Sequence, residues 1–373
     1  MSQIDCVVGA RPNFMKIAPM LRALEGPRGV RTCLVHTGQH YDPGMSDVFF
    51  EQLGIRAPDV RLDVGSDTHA RQTARILEHY EDHLVRTRPA GVVVVGDVNS
   101  TLACALAAVK LGIPVAHVEA GLRSRDRRMP EEINRVVTDA ISDVLLVTEE
   151  SGRRNLLGEG IEPSKIHMVG NLMIDTLYHE LPRARELRLP ERYGLGDGAY
   201  GLVTLHRPSN VDDPRVLAAL VGLLGELSGT LPLVFPVHPR TRSRLETAGL
   251  LERLRAAPRL FLTEPLGYRE NLALMAAAKL VLTDSGGMQE ETTVLGVPCL
   301  TLRDTTERPI TVELGTSILV GNDPIAIRAA LSEVIEGRYR HPTPIPLWDG
   351  HAGARAAEAL RAAWDLVHWN YVI

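Results

Sequence analysis

Short runs of apolar and β-branched residues alternate with longer helical patterns along most of this sequence. In the first half, the predicted strands cover residues 4–8, 91–95, 115–118, 144–147 and 166–169. The predicted helices between them cover residues 13–24, 100–111 and 130–141. Strands that are apolar on both faces are typical of parallel sheets covered by helices on both sides. The alternation therefore predicts a doubly wound α/β domain.

The same alternation restarts after a stretch rich in glycine and charge. The predicted strands of the second half cover residues 202–205, 233–237, 260–262, 280–282 and 299–302. A chain of 373 residues has room for two cores of this kind. We assign residues 1–171 to an N-terminal Rossmann-like domain and 172–353 to a C-terminal one. A final helix within 354–373 is a candidate to pack back on the first domain.

Composition narrows the possible partners. The chain is 45% hydrophobic and 23% charged, as in globular proteins, and its net charge of −5 favours neither nucleic acid nor anionic membranes as a partner. No stretch approaches the roughly 20 apolar residues that span a bilayer. The N-terminus carries no signal-peptide pattern, and the four cysteines are isolated. We therefore expect a cytoplasmic protein with reduced thiols.

Polar residues follow the predicted strands, at the end of a parallel sheet where ligands bind. After the first strand, Arg11 and Lys16 could meet an anion at a helix N-terminus, or both could be surface cations. Asp97 ends the strand at 91–95, as a functional carboxylate or as a turn residue. The next helix could be capped by Asn99 or Ser100.

Further carboxylates follow the next strand and open the next helix. Glu119 ends a buried strand, where an unpaired charge is costly, and is predicted to share a face with His117. The alternative is a structural ion pair between Glu119 and Arg123, with His117 in the core. Glu131 stands four residues before Arg135, so these two form either a solvated ion pair or part of a site.

Two histidines follow strands of the second half. His206 could transfer a proton or bind phosphate, and His238 precedes an arginine in a similar position, although each could also lie in a plain surface loop. The glycine-rich residues 194–198 precede a strand instead of following one, so we predict no NAD site. We find no zinc-type spacing of histidines or cysteines and predict no metal.

The strongest local signal is a strand that runs into Ser285-Gly286-Gly287 and then a helix. The glycines allow main-chain N–H groups to approach an anion, and the helix N-terminus adds partial positive charge. Glu291 lies about one turn into the helix and could accept hydrogen bonds from ribose hydroxyls. Arg308 follows the next strand. This pattern predicts a diphosphate site, and it lacks the Lys-Ser/Thr of a Walker loop.

Ten segments together resemble one family, the non-hydrolysing UDP-N-acetylglucosamine 2-epimerases. They occur in that family's order and span nearly the whole chain. The segments are residues 9–16, 37–40, 96–101, 117–123, 130–135, 204–207, 238–240, 264–266, 283–291 and 303–309. Ten ordered matches are far more specific than any one of them.

The resemblance implies a GT-B fold with an interdomain cleft, a UDP-sugar substrate, no cofactor and a homodimer. It implies elimination of UDP with loss of the C2 proton, giving 2-acetamidoglucal, and re-addition of UDP after protonation of the other face. The catalytic residues it implies are Asp97, Glu119, Glu131 and His206. The substrate-binding residues it implies are Arg11, Lys16, Arg135, His238, Leu266, Asn271, Ser285, Gly286, Gly287, Glu291 and Arg308.

The sequence departs from the family pattern in three places. Pro208-Ser209-Asn210 follows His206-Arg207 where Arg-Glu-Asn is common, and Ile310 replaces an acidic residue. Gln39-His40-Tyr41-Asp42 replaces a loop through which some members bind a second, activating substrate molecule, so we do not expect that activation.

Several alternatives stay open from sequence. They are a hydrolysing epimerase, an epimerase of a UDP-diacetamido uronic acid, a GT-B glycosyltransferase and a non-enzymatic nucleotide-binding protein. The residues also leave open which carboxylate serves which face of C2.

Overall fold

The computed structural model describes residues 3–26, 29–39 and 50–364, with only the main chain of Arg11. The chain forms two compact units, Met1–His179 with Pro346–Ile373, and Glu180–Ile345. The division falls inside one continuous helix, Leu172–Glu186, where the sequence had suggested a boundary at 171/172. The C-terminal helix belongs to the first unit.

The first unit is built on a parallel sheet of seven strands. In chain order these are β1 (Ile4–Val8), β2 (Thr32–His36), β3 (Val60–Arg61), β4 (Gly91–Val95), β5 (Val115–Ala120), β6 (Val144–Val147) and β7 (Ile166–Met168). The strands lie in the order β3-β2-β1-β4-β5-β6-β7. Strands β2 and β3 therefore lie on one side of β1, and β4 to β7 lie on its other side, so the direction of winding reverses between β1 and β4.

The second unit repeats this arrangement with six parallel strands. They are β8 (Gly201–Thr204), β9 (Leu233–Pro236), β10 (Leu260–Thr263), β11 (Leu280–Thr283), β12 (Cys299–Thr301) and β13 (Ser317–Leu319). Their order is β10-β9-β8-β11-β12-β13, so the reversal falls between β8 and β11. Both units are thus doubly wound, as the alternating pattern predicted.

Helices connect the strands in both units. Numbered along the chain they are α1 (Arg11–Leu24), α2 (His69–Thr87), α3 (Asn99–Lys110), α4 (Pro130–Ile141), α5 (Glu150–Gly158), α6 (Leu172–Glu186), α7 (Pro208–Val211), α8 (Pro214–Thr230), α9 (Pro239–Thr247), α10 (Leu251–Arg255), α11 (Tyr268–Ala277), α12 (Gly286–Leu295), α13 (Pro309–Glu313), α14 (Pro324–Ile335) and α15 (Ala352–Ala363). In the first unit, α3 packs against both α2 and α4, and α1 packs against α15.

Some local expectations were wrong. Helix α1 begins at Arg11, two residues before the predicted start at residue 13. Neither Asn99 nor Ser100 caps α3, because the N-cap residue is Val98. The side chain of Ser100 instead donates to Gln39 Oε1 at 2.7 Å.

Buried strands account for most of the core of each unit. All residues of β1, β2 and β4 are buried, and a large Leu-rich cluster fills the second unit. The four cysteines are buried and free of disulfides in the part of the chain described. No helix among the described residues has both the length and the apolar character needed to cross a membrane.

Candidate active site

Each sheet brings its polar strand-end residues to the point where its winding reverses. In the first unit, Lys16 and Asp97 follow β1 and β4, the two strands that flank the reversal. In the second unit, His206 and Ser285 follow β8 and β11, which flank the corresponding point. Crevices at such points are where open α/β sheets bind ligands.

In the first unit, four charged side chains form a continuous series of ion pairs: Lys16, Glu119, Arg135 and Asp97. Lys16 Nζ contacts Glu119 Oε2. Arg135 Nη2 lies 3.1 Å from Glu119 Oε1 and 2.6 Å from Asp97 Oδ2. Burial of charge is tolerable here because the opposite charges are in direct contact. The Asp97 side chain is 24% exposed and the other three are at most 6% exposed, so Asp97 is the one within reach of a ligand.

Glu119 has an unusual main-chain conformation. Its φ is +71°, in the left-handed region, and the pairing of β5 with β6 shifts register between Val118 and Ala120. A non-glycine residue in this region costs about 1–2 kcal/mol. Despite this irregularity, Glu119 and His117 both contact helix α4, through Arg135 and Asp139. The alternative, an ion pair between Glu119 and Arg123, was wrong, because Arg123 pairs with Asp139 and Glu159.

Glu131 lies in the first turn of α4 and is partly exposed. The i,i+4 ion pair with Arg135 is not formed among the described residues, and Arg135 instead pairs with Asp97 and Glu119. Within the described ranges, Glu131 has neither a hydrogen bond nor a salt bridge. Its neighbour Asn134 donates to the main-chain oxygen of Asp97 at 2.9 Å. Helix α4 therefore supplies the Glu131 carboxylate, which has no partner among the described residues. It also supplies the side chains of Asn134 and Arg135, which both contact Asp97.

The side chain of Asn13 connects the loop after β1 to the end of β4 by hydrogen bonds. Its side-chain oxygen accepts from the N–H groups of Gly9 at 3.0 Å and Ala10 at 2.9 Å, and its Nδ2 donates to Val95 O at 3.0 Å. Arg11 lies in this turn, but its side chain falls outside the described residues. His40, Tyr41 and Asp42 of the departing loop also fall outside them.

In the second unit, a buried aspartate holds His206. Asp284 is fully buried, and its Oδ1 lies 2.8 Å from His206 Nδ1. Its Oδ2 accepts from the N–H groups of His206 and Arg207 at 2.9 Å each and from Asn210 at 3.1 Å. Burial alone would raise the pKa of Asp284, but the hydrogen bond and charge of His206 outweigh it and the pKa is lowered. An ionised Asp284 fixes a proton on His206 Nδ1 and leaves Nε2 for a ligand.

The other predicted residues of this unit lie around His206 or in the next loop. The rings of His206 and His238 are 5.5 Å apart, and His238 Nδ1 accepts from Arg240 N at 3.2 Å at the start of α9. Leu266 is partly buried in the loop after β10, and Asn271 lies in the first half of α11.

The predicted diphosphate cradle is the start of α12. Ser285 is the N-cap residue and Gly286 the first residue of this ten-residue helix. Arg308 lies directly over it, because a Cβ on Gly286 would stand 2.7 Å from Arg308 Nη1. Arg308 also pairs with Glu290 at 2.9 Å and Glu307 at 2.7 Å. Burial would raise the pKa of Glu307, but nearby arginines, Arg308 first, lower it. The cradle thus joins a helix N-terminus to a fixed guanidinium group.

Glu291 is buried beneath this cradle. Tyr268 Oη donates to Glu291 Oε1 at 2.9 Å. Burial raises the pKa of Glu291 to about 7, the hydrogen bond from Tyr268 opposes the rise, and the charge of Glu290 adds to it. Its carboxyl group therefore changes charge near neutral pH.

Three residues with evident roles were missed from sequence: Asn13, Asp139 and Asp284. Asn13 and Asp284 lie inside segments that had been singled out, and a polar residue at a strand end or helix start was the available signal. No such signal marked Asp139, because it lies in the last turn of α4 and contacts His117 only in the folded protein.

Two Rossmann-type units with charged groups at both reversal points define an enzyme of the GT-B class. The model of the UDP-N-acetylglucosamine 2-epimerase family matches residues 22–361. The UDP-N-acetylglucosamine 2-epimerase of Methanocaldococcus jannaschii is 42% identical, over 96% of this chain and 98% of that protein. A solved structure of a UDP-GlcNAc 2-epimerase from the same organism, in complex with UDP-GlcNAc and UDP, matches with a TM-score of 0.88 at 41% identity, covering 96% of this chain and 99% of that chain.

A relative with a different substrate is equally similar. The UDP-2,3-diacetamido-2,3-dideoxy-D-glucuronate 2-epimerase of Pseudomonas aeruginosa is 44% identical over 86% of this chain and 88% of that protein. The chain belongs to the UDP-N-acetylglucosamine 2-epimerase family. It is therefore an epimerase, and the resemblance stated from its sequence is confirmed.

Proposed function

We propose that this enzyme interconverts UDP-N-acetylglucosamine and UDP-N-acetylmannosamine without hydrolysis. The observation that carries the proposal is the group of three carboxylates in the first unit, Asp97, Glu119 and Glu131, beside Arg135 and Lys16. Inversion at C2 needs a proton acceptor on one face and a donor on the other. A glycosyltransferase, by contrast, has no need of three carboxylates at this position.

The reaction is balanced without a cofactor. A carboxylate takes the C2 proton, the C–H electron pair forms the C1=C2 bond, and the bond from C1 to the UDP oxygen breaks. The products of this step are 2-acetamidoglucal and UDP. In the return step a carboxylic acid protonates C2 from the other face, and UDP oxygen re-forms the bond to C1. No water enters the product, which distinguishes this route from hydrolysis.

We assign proton transfer to Asp97 and Glu131 and a holding role to Glu119. Both oxygens of Glu119 are engaged, by Lys16 and Arg135, and its side chain is 2% exposed. Asp97 is partly exposed, and Glu131 has no partner among the described residues. A general base must reach the proton that it removes, and these two carboxylates are the accessible ones.

We assign UDP binding to the second unit. Main-chain N–H groups at the start of α12, with Arg308, would stabilise the negative charge of the leaving diphosphate. His206 Nε2 would donate to a phosphate oxygen or act as an acid when the ring carries a proton on each nitrogen, with the Nδ1 proton held by Asp284. Glu291 would accept from ribose hydroxyls.

The test of the reaction is incubation with UDP-N-acetylglucosamine in deuterated water, followed by proton and phosphorus NMR. We expect deuterium at C2 of both UDP-sugars, with UDP present only in traces. Steady accumulation of UDP and free N-acetylmannosamine would establish the hydrolysing reaction instead. Sugar transfer to an added acceptor without C2 exchange would establish a glycosyltransferase. Binding of UDP without any exchange would leave a nucleotide-binding protein.

The test of the site uses isosteric amide variants. Asp97→Asn, Glu119→Gln and Glu131→Gln should each lower kcat by about 100-fold or more while UDP affinity stays within about 2-fold. The UDP affinity is the control, because the second unit is unchanged. Near-normal exchange in any one variant would contradict the role proposed for that residue.

A second candidate substrate is a UDP-diacetamido uronic acid. The observation that favours it is the 44% identity to the Pseudomonas aeruginosa enzyme named for such a substrate. Its sugar carboxylate would need an additional cation in the site. Comparing kcat/KM for the two UDP-sugars decides between them, and at least a 100-fold preference for the uronate would overturn the first assignment.

We further propose that the enzyme acts in the cytoplasm as a homodimer. Helix α4 exposes Ile133 (49%), Val137 (38%) and Ala140, which share one face at i, i+4 and i+7 spacing. Its opposite face carries Asn134 and Arg135. We propose that a second copy of the chain packs against this apolar stripe.

The assembly is tested by sedimentation of Ile133→Glu. We expect it to be monomeric at concentrations where the wild type is dimeric. Ile325 is the matched control, because it is 75% exposed on α14 of the other unit, and Ile325→Glu should remain dimeric. Dimeric Ile133→Glu would contradict the placement of the interface.

A further inference from the structure

The ring of His117 is fully buried between two oxygen atoms. Its Nδ1 lies 2.7 Å from Asp139 Oδ1, and its Nε2 lies 2.7 Å from the main-chain oxygen of Gly96. A carbonyl oxygen only accepts hydrogen bonds, so Nε2 must carry a proton. Whether Nδ1 carries one as well depends on the charge of Asp139.

Asp139 is surrounded by donors. Besides His117, it accepts from Arg123 Nη1 at 2.7 Å and from the N–H of Gly121 at 3.1 Å. Burial would raise the pKa of Asp139, but the charges and hydrogen bonds of His117 and Arg123 outweigh it and the pKa is lowered. The His117 ring thus connects the carboxylate of Asp139 to the carbonyl oxygen of Gly96.

We propose that His117 and Asp139 are positioning residues that hold the carboxylates of the first unit in their reactive geometry. His117 acts on Asp97, and Asp139 acts on Glu119. Neither touches the substrate. The proposal rests on the proposed chemistry at C2.

The link to Asp97 runs through the preceding peptide. Gly96 has a φ of +74°, and its N–H donates to Val118 O at 3.0 Å while its carbonyl accepts from His117. On the other side, Asn134 donates to the carbonyl oxygen of Asp97. The turn that carries the Asp97 carboxylate is thus fixed at both of its peptide groups.

The link to Glu119 runs through the irregularity in β5. Glu119 and Gly121 both have left-handed φ values, +71° and +81°. His117 lies just before this segment, and Gly121 lies at its end. The His117 ring and the N–H group of Gly121 both hydrogen-bond to the carboxylate of Asp139. A strained conformation persists only where its surroundings fix it, and here Asp139 is the group that does so.

The test compares two buried histidine–aspartate pairs of the first unit. His117→Gln keeps a side-chain N–H but loses the ring that connects Asp139 to Gly96. The matched control is His83→Gln, because His83 Nε2 lies 2.8 Å from the buried Asp5. Asp5 is near the start of β1, at the end of the sheet opposite to the carboxylates of the site. Each variant removes one buried pair, so each serves as the stability reference for the other.

We expect kcat of His117→Gln and of Asp139→Asn to fall about 10- to 100-fold, with UDP affinity unchanged within about 2-fold. His83→Gln should keep kcat within about 2-fold, even where its thermal stability is equally reduced. Nitrogen-15 spectra of histidine-labelled protein should show an Nε2–H signal protected from exchange, and this signal should be missing from His117→Gln.

The outcomes are separable from those for the proposed function. Absence of C2 exchange in the wild type overturns the proposed function and this inference together. If the wild type exchanges but His117→Gln and His83→Gln keep equal kcat, the positioning role alone is overturned. A His117 ring without a proton on Nε2 would likewise overturn it.

Discussion

Replacing Glu291 by glutamine should stabilise the enzyme, and more so as the pH rises. Burial raises the pKa of Glu291 from its usual 4.5 to about 7. The folded protein therefore favours the protonated form of Glu291. The contribution of this group to the free energy of unfolding is complete below pH 4.5 and is lost as the pH rises to about 7. Since each pKa unit corresponds to about 1.4 kcal/mol, the loss amounts to about 3 kcal/mol. Glutamine cannot ionise and avoids this loss.

The assay is urea unfolding of the wild type and Glu291→Gln at pH values from 4.5 to 8. We expect the difference in free energy of unfolding to grow between pH 4.5 and 7 and then to level off. Exposed Glu246, in α9 of the same unit, provides the control, since Glu246→Gln should show no such pH-dependent gain. A pH-independent difference for Glu291→Gln would refute the reasoning that its charge is excluded by burial.

Three other changes test the remaining contacts. Asp284→Asn removes the anion that orients His206, so kcat should fall by about 10- to 100-fold while the fold is kept, as circular dichroism would confirm. Gly286→Ala places a Cβ 2.7 Å from Arg308 Nη1, and calorimetry should show UDP affinity reduced by about 10-fold or more. Gly353→Ala places a Cβ 2.8 Å from a carbonyl oxygen of α1, and it should cost about 1–3 kcal/mol in urea unfolding.

The doubly wound architecture could be predicted because its signal is local. Strands such as β4 and β11 are short, apolar on both faces and followed directly by helices. Strand β3 was not identified, because it has only two residues, Val60 and Arg61, and depends on pairing with β2. Strands β2 and β13 were missed as well, because polar residues interrupt their apolar character: Thr32 and His36 in β2, and Ser317 in β13.

The positions of the polar strand-end residues could also be predicted, but their partners could not. Parallel strands end at one edge of a sheet, so Asp97 and Glu119 were expected near each other. Which cation pairs with which carboxylate depends on side chains from α1 and α4, and there the local guesses failed. Arg135 reaches Asp97, 38 residues away, in preference to Glu131 on its own helix.

On the proposed assignment, two of the three carboxylates of the first unit exchange protons with the sugar, and the ion pairs of Glu119 give the third its role. The proposed substrate and product differ only at C2, so the site must be able to take a proton from one face and return one from the other. Asp97 and Glu131 are the accessible carboxylates for this, and Arg135 pairs with Asp97. Glu119 binds both Arg135 and Lys16 from the buried side. Glu119→Gln should therefore impair Asp97 through Arg135, although Glu119 itself exchanges no proton with the substrate.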